Sequence, residues 1–345
     1  MIKEIFIHII LFLVGLSIIE IFLDGLKKEN HGTFLCYSAV VILIVLLTGF
    51  RPIGIDRDGL MYNEYYEGIC EYTYIQIIVG SPHRIVEVGY LLINKLFCGI
   101  GFRELLLVIA VLSILPKAYL LYRYAAYPFF ALLMYMSFFY LLRDFTQIRD
   151  AVAISFVLFS LFSVFYKKYL WSCFFLVLGS LFHLVSLMFI PIFLCLVYVN
   201  EQNVYYKLLL LSVPFLFWDI TSEIMTILND YLPEQLAKYN KIEGGGSGTI
   251  LLLMLMTVIS YFFVENDPRL EYMNKIVLIG LFTGILFYHH PVLYRITNGL
   301  AFFSILMYVN IIKKMNEHYK LLSYIFAMTI IVYFCSQNIR ILIND

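Results

Sequence analysis

Apolar runs long enough, or nearly long enough, to cross a bilayer recur along the whole 345-residue chain, parted only by short charged breaks. That pattern leaves few folds open. A spanning helix needs about 20 apolar residues, and no backbone polar group can stay unpaired in hydrocarbon. Composition agrees: 62% of residues are hydrophobic and 14% charged, against roughly 45–50% and 25% in soluble domains. The expected fold class is all-α, a polytopic integral membrane protein of about 11–13 transmembrane helices forming one membrane domain over 1–345.

Candidate spans lie near 3–23, 33–50, 104–122, 127–142, 151–166, 169–182, 184–199, 207–227, 249–264, 276–288, 299–312 and 321–338. The first is apolar for too long to be a removable signal peptide and lacks a small-residue cleavage site. Residues 86–101 are apolar on one face but carry Glu87, Asn94 and Lys95. They read as a re-entrant or surface-lying helix, with a full crossing as the alternative. No internal repeat is visible, so a transporter built from inverted repeats is unsupported.

Twenty-four basic residues balance twenty-four acidic ones, which leaves no basic face for nucleic acid. Cys36, Cys173, Cys195 and Cys335 sit in apolar runs, where cysteine behaves as a small hydrophobe. Cys70 and Cys98 are placed to meet outside the membrane, but the expectation is free thiols, with no zinc spacing and no metal or cofactor.

Orientation follows from basic residues near helix ends. With 51–103 outside, Lys27/Lys28, Lys117/Arg123, Lys167/Lys168, Lys207, Arg269/Lys275 and Lys313/Lys314/Lys320 fall in the cytoplasm, each in a short break. The segments about 143–150, 228–248 and 289–298 then join 51–103 outside, and several distant polar segments converge on one face. The loop at 228–248 ends in a flexible glycine run, either a lid or, as we expect, a connector.

Gly49–Tyr90 is the densest polar stretch. Arg51 follows directly on an apolar helix, and Asp56 and Asp58 lie two apart, so each carboxylate can raise the other's pKa and suit a base. The same pair could equally be a solvated turn. Tyr62, Tyr65, Tyr66, Tyr72 and Tyr74 suit a sugar groove or, for most of them, an interfacial belt. Glu87 opens an apolar helix, either as a partner of the helix dipole or as a second base. Arg143 and Arg149 bracket a helix junction and offer forked donors to phosphate oxygens, the plainer reading being ion pairs with adjacent Asp144 and Asp150. His183 stands alone between two apolar halves, for acid–base work or as a hydrogen-bonded core residue. Arg295 precedes an apolar helix and either grips an anion or snorkels. His289 and His290, being adjacent, do not share a helix face for a metal.

In combination, FR-PIGID-RD (50–58) with Tyr62, E-VGY-LL (87–92), Q-IR-D-AVA-IS (147–155), L-FH-LVS (181–186) and YR-IT (294–297) resemble the bacterial polysaccharide polymerases of the EpsG/Wzy type. Asp56 and Asp58 compete for that pattern's single Asp. The resemblance implies a glycosyltransferase of the bacterial cytoplasmic membrane with its site on the outer face, polymerising undecaprenyl-diphosphate-linked oligosaccharides for a surface polysaccharide. Its site would comprise Asp56, Asp58, Glu87 and His183 as catalytic groups, with Arg51, Tyr62, Arg143, Arg149 and Arg295 binding diphosphate and sugar. A chain-length regulator and a flippase of the same pathway are the expected partners. The alternatives are a membrane O-acyltransferase that modifies surface glycans, a non-enzymatic flippase or exporter, and a structural partner.

Overall fold

The computed structural model describes residues 2–23, 25–56, 58–80, 86–219, 223, 247–264 and 267–341. Among them are fifteen α-helices and no strand: α1 (Ile2–Phe22), α2 (His31–Gly49), α3 (Gly59–Ile69), α4 (Tyr74–Gly80), α5 (Val88–Leu96), α6 (Phe102–Tyr124), α7 (Pro128–Tyr135), α8 (Ile148–Phe165), α9 (Tyr169–Phe182), α10 (Phe189–Tyr198), α11 (Gln202–Ser212), α12 (Ser247–Phe263), α13 (Pro268–Leu286), α14 (Pro291–Lys314) and α15 (Glu317–Ile341). A π turn, Met136–Tyr140, prolongs α7. The all-helical polytopic class is as expected.

Among the described residues, six helices (α1, α2, α6, α8, α14 and α15) are long and apolar enough to cross a membrane. Four further expected spans fall on shorter apolar segments, Pro128–Tyr140, Tyr169–Phe182, Leu184–Tyr198 and Gly248–Phe263. These lose length where polar residues break the helix, as at 141–147 and His183. Most of the expected loop at 228–248, and the end of the expected span at 207–227, lie outside the described residues.

The helices form two compact units, one of residues 1–159, 178–183 and 312–345, the other of 160–177 and 184–311. In the first, α2 packs against α6, with Gly49 against Leu107 and the Tyr37 hydroxyl donating to the Ala118 carbonyl at 2.9 Å. On α1, Glu20 accepts from the backbone N–H groups of Phe129 and Phe130 (3.2 and 3.1 Å), satisfying donors that the start of α7 would leave bare. Asn338 on α15 donates to the Ser137 carbonyl at 2.7 Å, inside the π turn. The second unit packs α13 against α11 and α12, with buried Asn274 bonded to Ser260 (2.7 Å) and Tyr206 (3.1 Å).

Two expectations need correction. Lys117, counted with the cytoplasmic breaks, is inside α6 and 4% exposed. The helix runs on through Pro116, and the ammonium donates to Asp144 Oδ1 at 2.5 Å and the Ala151 carbonyl at 2.9 Å. Cys70 and Cys98 are not free: α3 and α5 pack together and bring their Cα atoms to 5.6 Å, and a disulfide joins them. For 86–101 it is the alternative, a full crossing, that fails, because the nine residues of α5 rise only about 14 Å. Of the tyrosines, Tyr72 and Tyr74 are exposed, Tyr65 and Tyr66 half-buried and Tyr62 buried.

One close approach holds α5 to the end of α9. A Cβ on Gly89 would stand 2.6 Å from the Leu181 carbonyl oxygen and 2.7 Å from its Cβ, so only glycine lets the helices meet. Gly89→Ala should therefore cost about 1–3 kcal/mol, read as a lower midpoint of thermal unfolding in detergent; an unchanged midpoint would show the contact to be looser. The Lys117–Asp144 pair yields a second expectation. Lys117→Met should cost about 3–5 kcal/mol by stranding a buried carboxylate, whereas Lys117→Met with Asp144→Leu should recover most of it. Equal losses in single and double variants would mean that the pair carries no such interaction.

Candidate functional site

Three helix ends of the first unit deliver the site. Glu87 takes the N-cap position of α5 with extended backbone (φ −67°, ψ 141°), yet its side chain does not cap the helix. Arg149 and Asp150 stand in the first turn of α8, and His183 follows the last residue of α9. The π turn and the bend at 141–147 separate α8 from α7, which turns this arginine-bearing segment into a helix start.

The uncapped Glu87 carboxylate bridges the other two ends. Arg149 Nη1 donates to Oε2 at 2.6 Å, and His183 Nδ1 contacts Oε1 at 2.7 Å. An ionised carboxylate only accepts, so Nδ1 carries a proton. His183 Nε2 faces Asp150 Oδ1 at 4.0 Å, and Asp150 Oδ2 lies 3.6 Å from Arg143, which also donates to Gln147. The Arg149 guanidinium stands over the rings of Tyr62 and Tyr90, at 6.0 and 5.9 Å from their centres. Burial pushes the Glu87 carboxyl up, but the His183 hydrogen bond and the Arg149 charge outweigh it and hold the group below the usual carboxylate range.

Arg51 and Asp56 pair with each other. Arg51 donates to Asp56 Oδ2 and to the Thr48 carbonyl, both at 3.4 Å, and lies over the Phe145 ring at 5.0 Å. Gly59 makes room for Asp56, since a Cβ there would fall 2.3 Å from Oδ1. Burial raises the Asp56 carboxyl, and Arg51 only partly offsets it. Access differs between the two groups. Arg149, Glu87 and His183 side chains keep 14, 7 and 13% exposure, whereas Arg51 and Asp56 keep 1 and 0%.

Of the residues singled out by sequence, Glu87, Arg149, His183 and Arg143 meet in one chain of charges, with Tyr62 against Arg149. Asp58 is half-buried at the N-cap position of α3 and makes no cap bond with its side chain. Arg295 is half-buried on α14, in the second unit. The two acids next to the arginines are engaged, but with other partners than their neighbours: Asp150 faces Arg143, seven residues away. Arg149 pairs with Glu87, and Asp144 with Lys117. Sequence reasoning gave no role to Tyr90, although it lies three residues from Glu87 and so one helical turn away. Among the described residues no group of three or more His, Cys, Asp or Glu side chains is arranged to hold a metal ion.

No curated protein and no solved structure matches the chain. The profile of the EpsG family matches residues 34–343, nearly the whole chain and every residue of the charge cluster. EpsG is a family of Wzy-type polysaccharide polymerases, so membership points to polymerisation of a polysaccharide. The ordered motifs, the polytopic helices and this match agree: the chain belongs to the EpsG family.

Proposed function

We propose that the protein polymerises lipid-linked oligosaccharide repeats, transferring the growing glycan from undecaprenyl diphosphate to the terminal sugar hydroxyl of another lipid-linked repeat. The observation that carries this reading is the reachable Arg149–Glu87–His183 cluster. The acceptor oxygen bonds to the anomeric carbon of the donor glycan as the bond from that carbon to the diphosphate breaks. Lipid diphosphate leaves with the electron pair, and the hydroxyl proton passes to a base. Arg149 and Arg143 oppose the charge that grows on the leaving group. Glu87 holds His183 with its proton on Nδ1, so that Nε2 is the ring nitrogen offered to the acceptor hydroxyl.

Asp56 suits this base role less well, because its side chain is sealed under Arg51 and Phe145. We give that pair the work of fixing the turn between α2 and α3. The Cys70–Cys98 disulfide supports placing 51–103, and with it the site, on the outer face of the cytoplasmic membrane, since disulfides persist in oxidising compartments. Arg295 and Asp58 stay as further candidates on the pattern of residues alone, and a flippase and a chain-length regulator are the natural partners of such a reaction.

His183→Ala should lower polymerisation by about 10²–10⁴-fold and Arg149→Ala by about 10²–10³-fold. A gel profile of surface polysaccharide from complemented deletion strains reads both, with single repeats replacing the ladder while the protein stays in the membrane. Wild-type ladders in both variants would remove the cluster from the mechanism.

Glu87 also sets a pH dependence. Its folded carboxyl binds a proton less readily than the unfolded one, so its contribution to stability is present above the unfolded value, near 4.3, and fades as pH falls through the lower folded value. The gap in thermal stability between wild type and Glu87→Gln should hold from neutrality to about pH 5 and close in stronger acid. A gap unchanged in strong acid would mean that the ion pairs add nothing.

A further inference from the structure

Beneath the charge cluster, α5 and α8 bury polar atoms that neither the fold nor the mechanism above uses. Tyr90 and Asn94 are one turn apart on α5 and both 0% exposed. The Asn94 amide nitrogen donates to the Tyr90 backbone carbonyl at 2.6 Å. That bond fixes which way the amide points and leaves Oδ1 as an acceptor. Neither this oxygen nor Nε of Arg149 hydrogen-bonds to any described residue, and the Tyr90 hydroxyl, which the Asn94 amide approaches as a donor, finds no acceptor for its own proton. Tyr90 neighbours both of the other residues. The Arg149 guanidinium lies over the Tyr90 ring at 5.9 Å, the Tyr62 and Tyr90 rings meet edge-on at 5.9 Å, and both Arg149 and Arg51 act electrostatically on the Tyr90 phenol.

Buried polar groups are nearly always paired, because desolvation without a partner is costly. Unpaired donors and an acceptor around one buried phenol, beside a guanidinium, call for a partner that is not protein. Their chemistry specifies it. Two donors, one of them cationic, call for an anionic oxygen with more than one lone pair. A carbonyl acceptor beside them calls for a hydroxyl. Arg149 can serve both sides, since Nη1 is engaged by Glu87 while Nε is directed elsewhere on the same planar fork.

We propose that Tyr90 is a further substrate-binding residue, its hydroxyl joining Arg149 Nε on a non-bridging phosphoryl oxygen of the lipid-linked sugar diphosphate, while Asn94 Oδ1 accepts from a hydroxyl of the attached sugar. The identity of that ligand rests on the polymerase reading; the anion subsite does not. Glu87 and Tyr90 thus put the two ends of one helical turn to different tasks, orienting the base and gripping the leaving group.

Tyr90→Phe tests this by removing one oxygen and no packing volume. The full-length protein in detergent is compared with wild type in three measurements: thermal stability, binding of inorganic pyrophosphate by titration calorimetry, and polymerisation of a lipid-linked repeat. The variant should unfold within about 2 °C of the wild type, because the lost hydroxyl takes only one contact from the Asn94 amide. It should bind pyrophosphate about ten-fold more weakly or worse, and lose polymerisation in proportion. An unfolding temperature lower by more than that overturns the proposal, since the hydroxyl would then be a structural group. Undiminished pyrophosphate binding, or a wild type that binds none, overturns it as well. If wild type and variant differ in pyrophosphate affinity but the wild type polymerises nothing, the subsite stands and the polymerase reading falls. If polymerisation is intact and equal in both, only the subsite falls.

Discussion

Glu87 gives up water, and even the cap of its own helix, for two partners that lie far away in the chain. A carboxylate so placed is tolerable only because one oxygen meets Arg149 and the other His183. The three groups come from the starts of α5 and α8 and the end of α9, so the bond set also fixes how those helices approach each other. Gly89, two residues on, allows the same approach by lacking a side chain. Electrostatics and packing here make one demand, and neither could be met if the other failed.

The contrast with Arg51 and Asp56 shows how burial sorts similar residues into different jobs. Both groups pair an arginine with an acid. One is closed over by Phe145 and Thr48 and holds a turn. The other keeps part of each side chain open and touches two tyrosine rings. Lys117 and Asp144 are a third case, wholly internal, in which a helix carries its charge to a partner and not to the bilayer edge. An ionisable residue in such a chain is a candidate for function by default; its exposure and its partner decide whether it acts or braces.

The all-helical class was legible in the sequence because apolar length and charge spacing are properties of each segment alone. So were Glu87, Arg149 and His183, each conspicuous as a polar residue at the edge of an apolar run. What could not be read was pairing. Arg149 had a neighbouring acid one residue away and took one sixty-two residues away instead. Lys117 passed for a residue of a helix end because its partner, Asp144, lies beyond an entire helix. The Cys70–Cys98 bond depends on α3 and α5 folding against each other, which no local pattern announces. Tyr90 and Asn94 looked like ordinary members of an amphipathic turn, and only an unused phenol proton and an unpaired amide oxygen among the described residues set them apart.

The π turn at Met136–Tyr140 has a geometric effect on everything after it. Such a turn holds one residue more than an α-helical turn, and each residue advances the helix by about 100°. The extra residue therefore rotates the chain entering 141–147 by more than a quarter circle about the axis of α7. Thr48 bonds the Tyr140 hydroxyl at 2.7 Å and holds that phase in place. Arg143 and Asp144, one residue apart, consequently leave in opposing senses: the lysine inside α6 receives the acid, and the acid at the head of α8 receives the arginine. A wide turn in the backbone thus works as an angular setting that assigns adjacent charges to separate destinations.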